Sequence, residues 1–258
     1  MARSFNGTSD FINCGNSQFL NIITDFTCAG WGYTLTTGFG GTQIMFGHDD
    51  NALGRNFFFG VSGAVGGAIS FGTDAVAGMT GATTIPNNKW YHIAVVYRAS
   101  ANTGTVYFNG SFDAGPTGLG AAASCTANFC LGQRTYAGNN NFWGGNIADP
   151  GYWACALSPQ EIYALAHGAR PGQVRAGSLH GWWPLDGYNA PALDKSVYKN
   201  NGVLNGTAFV TGPPLISPAP IFVRSNVMQT AAVVASGIVF RRSLSSVGTR
   251  VGSRQAVM

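Results

Sequence analysis

Residues 87–110, NNKWYHIAVVYRASANTGTVYFNG, decide the fold. Two apolar runs of strand length, KWYHIAVVYR and GTVYFNG, flank the polar turn sequence ASANTG, and the second run ends on Asn109-Gly110, a pair suited to a tight turn with positive φ. The pattern predicts a hairpin with Trp90 and the alternate apolar residues after it directed into a core. On either side the same grammar repeats. SDFINC, CAGWGYTLTT, TQIMFGH, NFFFGVSG, GAISFGT, NFCLGQ and GNIADPGYWACAL are short apolar or period-two runs separated by Gly, Asn, Asp and Pro clusters. Many short strands at such spacing define an all-β sandwich or barrel.

One segment departs from this period. Ser158-Pro159-Gln160-Glu161 is a capping box with Pro at the first helical position, followed by Ile162, Leu165 and Ala166 at helical spacing and closed by Gly168. It predicts one short helix of about three turns. Composition agrees with a strand-dominated chain. Of 258 residues, 9% are charged and 37 are Gly, against averages of roughly 25% charged and ~7% Gly. Glu161 is the only glutamate and Lys89, Lys195 and Lys199 are the only lysines, so the residues that solvate long helices are nearly missing. Disorder is excluded because 45% of the chain is hydrophobic and 12% aromatic.

The net charge of +4 is unevenly placed. Up to Val210 there are 9 basic and 10 acidic residues, whereas Arg224, Arg241, Arg242, Arg250 and Arg254 follow with no acid among them. This divides the chain into a near-neutral domain over 1–210, a Pro-rich linker over 211–220 and a basic arm over 221–258. The basicity therefore predicts a docking arm and no nucleic-acid specificity. Membrane insertion is not expected either. No apolar run reaches the ~18–20 residues that span a bilayer, and AAVVASGIVF, ending at Phe240, has about half that length. MARSFNG lacks the apolar core of a secretory signal, which predicts cytoplasmic synthesis.

FNGTSDFINC, DFTCAGWGYT, the 87–110 hairpin, FCLGQ and FWGGNIADPGYWACALSPQEI together resemble the laminin-G-like jelly roll of the concanavalin A-like superfamily, in that family's order over most of 4–167. The resemblance implies a jelly-roll β-sandwich with one short helix and an extended C-terminal arm. LHGWWPLDGYNAPALDKSVYKNNGVLNG, from Leu179, resembles the opening strand and first loop of the same family, yet here it follows the closing helix. The domain reads as circularly permuted. The Trp182-Trp183 strand then either completes its own sandwich or is donated to a neighbouring subunit.

Catalytic chemistry finds little support. Retaining glycosidases on this kind of fold need two carboxylates about 5–5.5 Å apart, and the one Glu is a helix cap, while no Asp pair occurs at i, i+2 on a strand. His92 falls within a strand and reads as a sheet or core residue, and His48, His167 and His180 lack metal or base spacing. No enzyme activity is expected. The resemblance implies Asp10 and Asp149 as acidic positions for a structural calcium, although two carboxylates are few for a hard cation; no other cofactor is expected. Sugar stacking is assigned to Tyr136, Asn140, Phe142 and Trp143 in YAGNNNFWGGN, with core packing of Phe142 or Trp143 as the competing reading. Cys14, Cys28, Cys125, Cys130 and Cys155 read as reduced core residues, or as a Cys125–Cys130 disulfide within SCTANFC.

The inverted order, with the LSPQEI helix followed by the WWPLD strand, resembles structural proteins of tailed bacteriophages, and the low Lys and Glu content, as found at protein–protein surfaces, agrees with that resemblance. The function expected on that resemblance is a non-enzymatic virion component assembled in the host cytoplasm: a capsid decoration or cement protein. Its partners would be the major capsid protein or other virion proteins, its state a homo-oligomer such as a trimer, and its arm the clamp. The alternative is a glycan-binding adhesin that reads host polysaccharide.

Overall fold

A computed structural model describes residues 1–213 except 36–40, 51–53, 64–66, 74–77, 137–138 and 189. The arm arginines Arg224, Arg241, Arg242, Arg250 and Arg254 lie outside the described residues. The strands run β1 Ala2–Asn6, β2 Phe11–Asn13, β3 Phe26–Thr34, β4 Thr42–Asp50, β5 Gly54–Ser62, β6 Ala68–Gly72, β7 Gly78–Thr84, β8 Trp90–Arg98 and β9 Thr103–Phe108. They continue as β10 Ser111–Gly118, β11 Cys130–Leu131, β12 Gln133–Tyr136, β13 Asn139–Phe142 and β14 Gly144–Trp153. Helix α1, Pro159–Ala166, precedes β15 Leu179–Trp182, β16 Val203–Asn205 and β17 Ala208–Val210.

Two antiparallel sheets form the sandwich expected of a concanavalin A-like jelly roll. One has the order β10-β9-β8-β3-β14-β1-β17, with β15 also on β14; the other has the order β16-β2-β11-β4-β5-β6-β7. Between them lies an aromatic core. Phe26 sits 4.9 Å from both Phe57 and Tyr97, and Phe129 links Tyr152 at 5.2 Å to Trp183 at 5.6 Å, measured between ring centroids. Such pairs add roughly 0.5–1.5 kcal/mol each beyond the area they bury.

The deciding hairpin forms as β8 and β9, and Asn109 and Gly110 adopt φ of 49° and 83° before β10. Its parity is opposite to the expected one. Tyr91, Ile93, Val95 and Tyr97 face the second sheet, while His92, Ala94 and Val96 face outward beneath other chain, and Trp90 is only half-buried against Tyr33. Both faces of β8 are covered, so apolar alternation could not say which face meets the sandwich. The cover is α1, which sets Ile162 and Leu165 on Ala94, Val96 and Trp153. Its capping box is present, with Ser158 N–H donating to Glu161 at 2.8 Å and Glu161 N–H to Ser158 Oγ at 3.3 Å. With 8 residues the helix has about two turns rather than three, because His167 already leaves helical geometry.

Strand β14 joins the first and the late strands of the domain. Its first half pairs β1 and its second half pairs β15 of the same chain, so those two strands lie end to end along one edge of β14. Between the halves, a bulge at Asp149-Pro150 absorbs the missing proline N–H, and Pro150 O accepts from Trp183 N. Trp183 enters the main core, fully buried, with Nε1 donating to Asn200 O at 2.8 Å. Ala2 pairs Val210, which brings the ends of the sandwich side by side, the arrangement that makes a permuted order topologically cheap. At the far edge, Asp113 of β10 accepts from Ala82 N and Thr83 N of β7 and ties the two sheets together.

All five cysteines are free thiols in this structure, and the Cys125–Cys130 bridge is not formed. Cys14, Cys28 and Cys125 are buried.

Candidate functional site

The outer face of the seven-stranded sheet holds a cleft of about 340 Å³. Its floor is made by neighbouring strands: Phe11 and Asn13 on β2, Cys130 on β11, Gly47 and Asp49 on β4. Residues 126–128 form one wall and Gln133 and Arg134 of β12 the other. The β12–β13 hairpin lies directly over β4 because residue 47 has no side chain; a Cβ there would meet Gln133 O at 2.2 Å. Gly132, at φ 81°, turns the chain from the sheet into that hairpin.

Arg134 fixes the hairpin electrostatically. Its Nη2 lies 2.7 Å from Asp49 Oδ2, with both side chains buried, and its guanidinium stands 4.1 Å from the Phe58 ring centroid. Asn13 Oδ1 accepts from Gly15 N at 2.9 Å, which orients the amide and leaves its NH2 as donor. Burial pushes the Cys130 thiol up to about 12, so a neutral sulfhydryl lines the cleft. Beneath the floor, His48 is fully buried against Phe129, and burial lowers its pKa to about 4, keeping it neutral. The cleft thus offers amides, a neutralised ion pair and one half-buried aromatic ring, Phe11. Among the described residues Asp49 is the single carboxylate that lines it, so no two-carboxylate hydrolytic pair is seen there.

The residues singled out in the sequence fall unevenly around this cleft. Tyr136 and Asn140 lie on paired strands β12 and β13, with their side chains outside the described residues. Phe142, opposite Gln133, is half-buried. Trp143 is not a stacking platform. It is 0% exposed, a Cβ at residue 32 would meet its ring at 3.0 Å, and its Nε1 donates to Asn146 O at 3.3 Å. The YAGNNNFWGGN stretch therefore supplies the hairpin that walls the cleft, while the lining comes from Phe11, Asn13, Asn128, Gln133 and Arg134. No local motif unites those positions. They converge only because β2, β11 and β4 are sheet neighbours.

Asp10 and Asp149 belong to different layers. Asp10, before β2, accepts from Asn6 N at 3.0 Å and knits the β1–β2 turn. Asp149, in the β14 bulge at φ 53°, receives Trp182 Nε1 at 2.7 Å on one oxygen and lies 2.7 Å from Arg170 Nε through the other. Burial outweighs both partners and raises its pKa to about 6. Protein donors thus hold the Asp149 oxygens that the calcium expectation required. Among the described residues no three His, Cys, Asp or Glu side chains are grouped to hold a metal ion.

Two antiparallel sheets, a single covering helix and an open polar face define a jelly-roll sandwich of the lectin type. The profile of the concanavalin A-like lectin/glucanases superfamily matches residues 6–163, and the chain belongs to that family. The match ends inside α1, so β15, β16 and β17 lie beyond it although they complete both sheets. A comparison with curated proteins finds no match. Among solved structures, the chain is similar to a candidate carbohydrate-binding protein of Bacteroides ovatus, at 16% identity and TM-score 0.64, over 81% of this chain. It spans 59% of that protein's length. It is also similar to the heptameric SAP-like pentraxin of Limulus polyphemus (18% identity, TM-score 0.53, 66% of this chain and 82% of that one). A third similar structure is the CBM40 of the Ruminococcus gnavus IT-sialidase bound to α2,3-sialyllactose (13% identity, TM-score 0.50, 64% and 98%). At these identities the likeness is one of fold.

Proposed function

We propose that this domain is a non-catalytic carbohydrate-binding module that seats a saccharide in the cleft of the seven-stranded sheet. The observation that carries the reading is the cleft itself: about 340 Å³, with Asn13, Asn128, Gln133 and Arg134 around Phe11. Amides and a guanidinium suit sugar hydroxyls, and an aromatic ring suits the apolar face of a pyranose. The solved structures of similar fold that are described as carbohydrate-binding support the same reading. The capsid-decoration expectation rests on the 221–258 arm, outside the described residues, and no described surface favours it.

A glycan array followed by calorimetry tests the proposal. Phe11→Ala and Asn13→Ala are expected each to weaken the bound glycan about tenfold, equivalent to ~1.4 kcal/mol, with unchanged melting. A glycan bound equally well by both variants removes the cleft as its site.

A further inference from the structure

A second surface, separate from the cleft lining, carries its own recognition chemistry. Phe19 from the loop after β2, His180 on β15 and Tyr198 from the loop after β15 converge, although up to 179 positions apart in sequence. Phe19 and Tyr198 stack at 4.3 Å, and the His180 ring lies 4.4 Å from that of Tyr198. Phe19 is 39% exposed. His180 Nδ1 is 2.6 Å from Phe19 O, which only accepts, so Nδ1 carries the proton and Nε2 is free to meet a ligand.

The loop presenting Tyr198 is fixed from below. Asp194, 1% exposed, accepts from Trp182 N, Ser196 N, Ser196 Oγ and Asn200 N at 2.8–2.9 Å. Its charge is thus turned inward, while Lys195 and Lys199, two of only three lysines in the chain, are exposed and flank Tyr198 in sequence. The loop that presents Tyr198 thus carries two exposed cationic side chains beside a ring cluster held by Asp194, and a held loop lowers the ordering cost of binding. We infer that the Phe19–His180–Tyr198 shelf with Lys195 and Lys199 binds a carboxylate-bearing saccharide, the sugar ring against the aromatic edge and the carboxylate at the lysines. The assignment stands independently of the cleft.

The test is calorimetry on the full chain with oligogalacturonate, oligoalginate and sialyllactose, beside a neutral oligosaccharide of equal length. At least one acidic ligand is expected to bind with an affinity that falls as salt rises. Lys195→Gln/Lys199→Gln weakens it about tenfold or more, Tyr198→Ala weakens it similarly, and Asn13→Ala in the cleft leaves it unchanged. Failure of all three acidic ligands to bind, undiminished binding to the lysine double variant, or equal binding of poly-glutamate each overturns the inference. Loss on Asn13→Ala alone moves the acidic sugar to the cleft and also overturns it. Loss of only the neutral ligand on Asn13→Ala bears on the cleft reading and leaves the shelf standing.

Discussion

Each sheet carries on its outer side a buried aspartate with an arginine 2.7 Å away, and the two pairs serve opposite ends. Asp49–Arg134 sits on the seven-stranded sheet with side chains 1% and 8% exposed, and it pins a hairpin so that a cleft stays open beside it. Asp149–Arg170 sits on the eight-stranded sheet, with the arginine 35% exposed, and it helps close that face under α1, Trp153 and Trp182. The difference shows how one scaffold gains a binding face. One sheet is sealed by the chain's own helix, and the other is left with polar side chains that the fold does not consume.

The sharpest way to break the comparison is Arg134→Met. It takes the Arg134 guanidinium from a carboxylate in a nearly solvent-free place, where breaking a buried pair costs about 3–5 kcal/mol, and it frees the hairpin that shapes the cleft. Urea unfolding is expected to show that loss, and glycan binding is expected to fall with it. Gly47→Ala attacks the same wall sterically. Its Cβ would meet Gln133 O at 2.2 Å, so β12 must lift, with an expected destabilisation of about 1–3 kcal/mol and a cleft that binds more weakly at temperatures where the variant remains folded.

How far this contrast was legible in the sequence depends on which residues carried it. The sandwich was readable because KWYHIAVVYR and GTVYFNG alternate around turn residues that local geometry demands. The helix was readable from its capping box, down to the role of Glu161. Strands β1, β7, β10, β16 and β17 left no comparable signal. They are short, Gly-rich or polar pieces, all but β1 at sheet edges, whose strand state comes from their partners. The cleft was the least legible part. Aromatic content drew attention to Trp143, which the core consumes, whereas Asn13 and Arg134 are unremarkable in sequence and become a site only through sheet order.

Acid sharpens the comparison further, because the two faces titrate differently. Burial holds His48 at about 4 and His92 at about 3, so both are neutral when folded. A depressed histidine contributes stability that is intact above its unfolded value of ~6.5 and is lost progressively as pH falls toward the folded value. Asp149 has the opposite sign. Its pKa is raised to about 6, so its contribution is present below the unfolded carboxylate range and is lost as pH rises through about 6. On the eight-stranded sheet His92 and Asp149 therefore oppose one another between about pH 4 and 6, while His48 on the other sheet acts in the same direction as His92. The net expectation is about one proton's worth of destabilisation, ~1.4 kcal/mol per pH unit, as pH falls through that window. Urea unfolding at stepped pH reads the slope, and a stability that rose on acidification would show that Asp149 outweighs both histidines.

The smallest effect is also the most discriminating. Arg170→Met removes the cation from the closed face, but Arg170 is 35% exposed, and Trp182 Nε1 still donates to Asp149 at 2.7 Å. Water and that indole N–H share the compensation, so the expected cost is only about 0.5–1 kcal/mol. Asp149, relieved of Arg170, is expected to titrate still higher, since burial already dominates its shift. Cleft binding is expected to stay at the parent value, because none of the cleft lining belongs to this face. A stability loss equal to that of Arg134→Met, or any loss of glycan affinity, would mean that the two faces are coupled through the core. The open sheet would then owe its shape to the closed one rather than to the pair pinning its own hairpin.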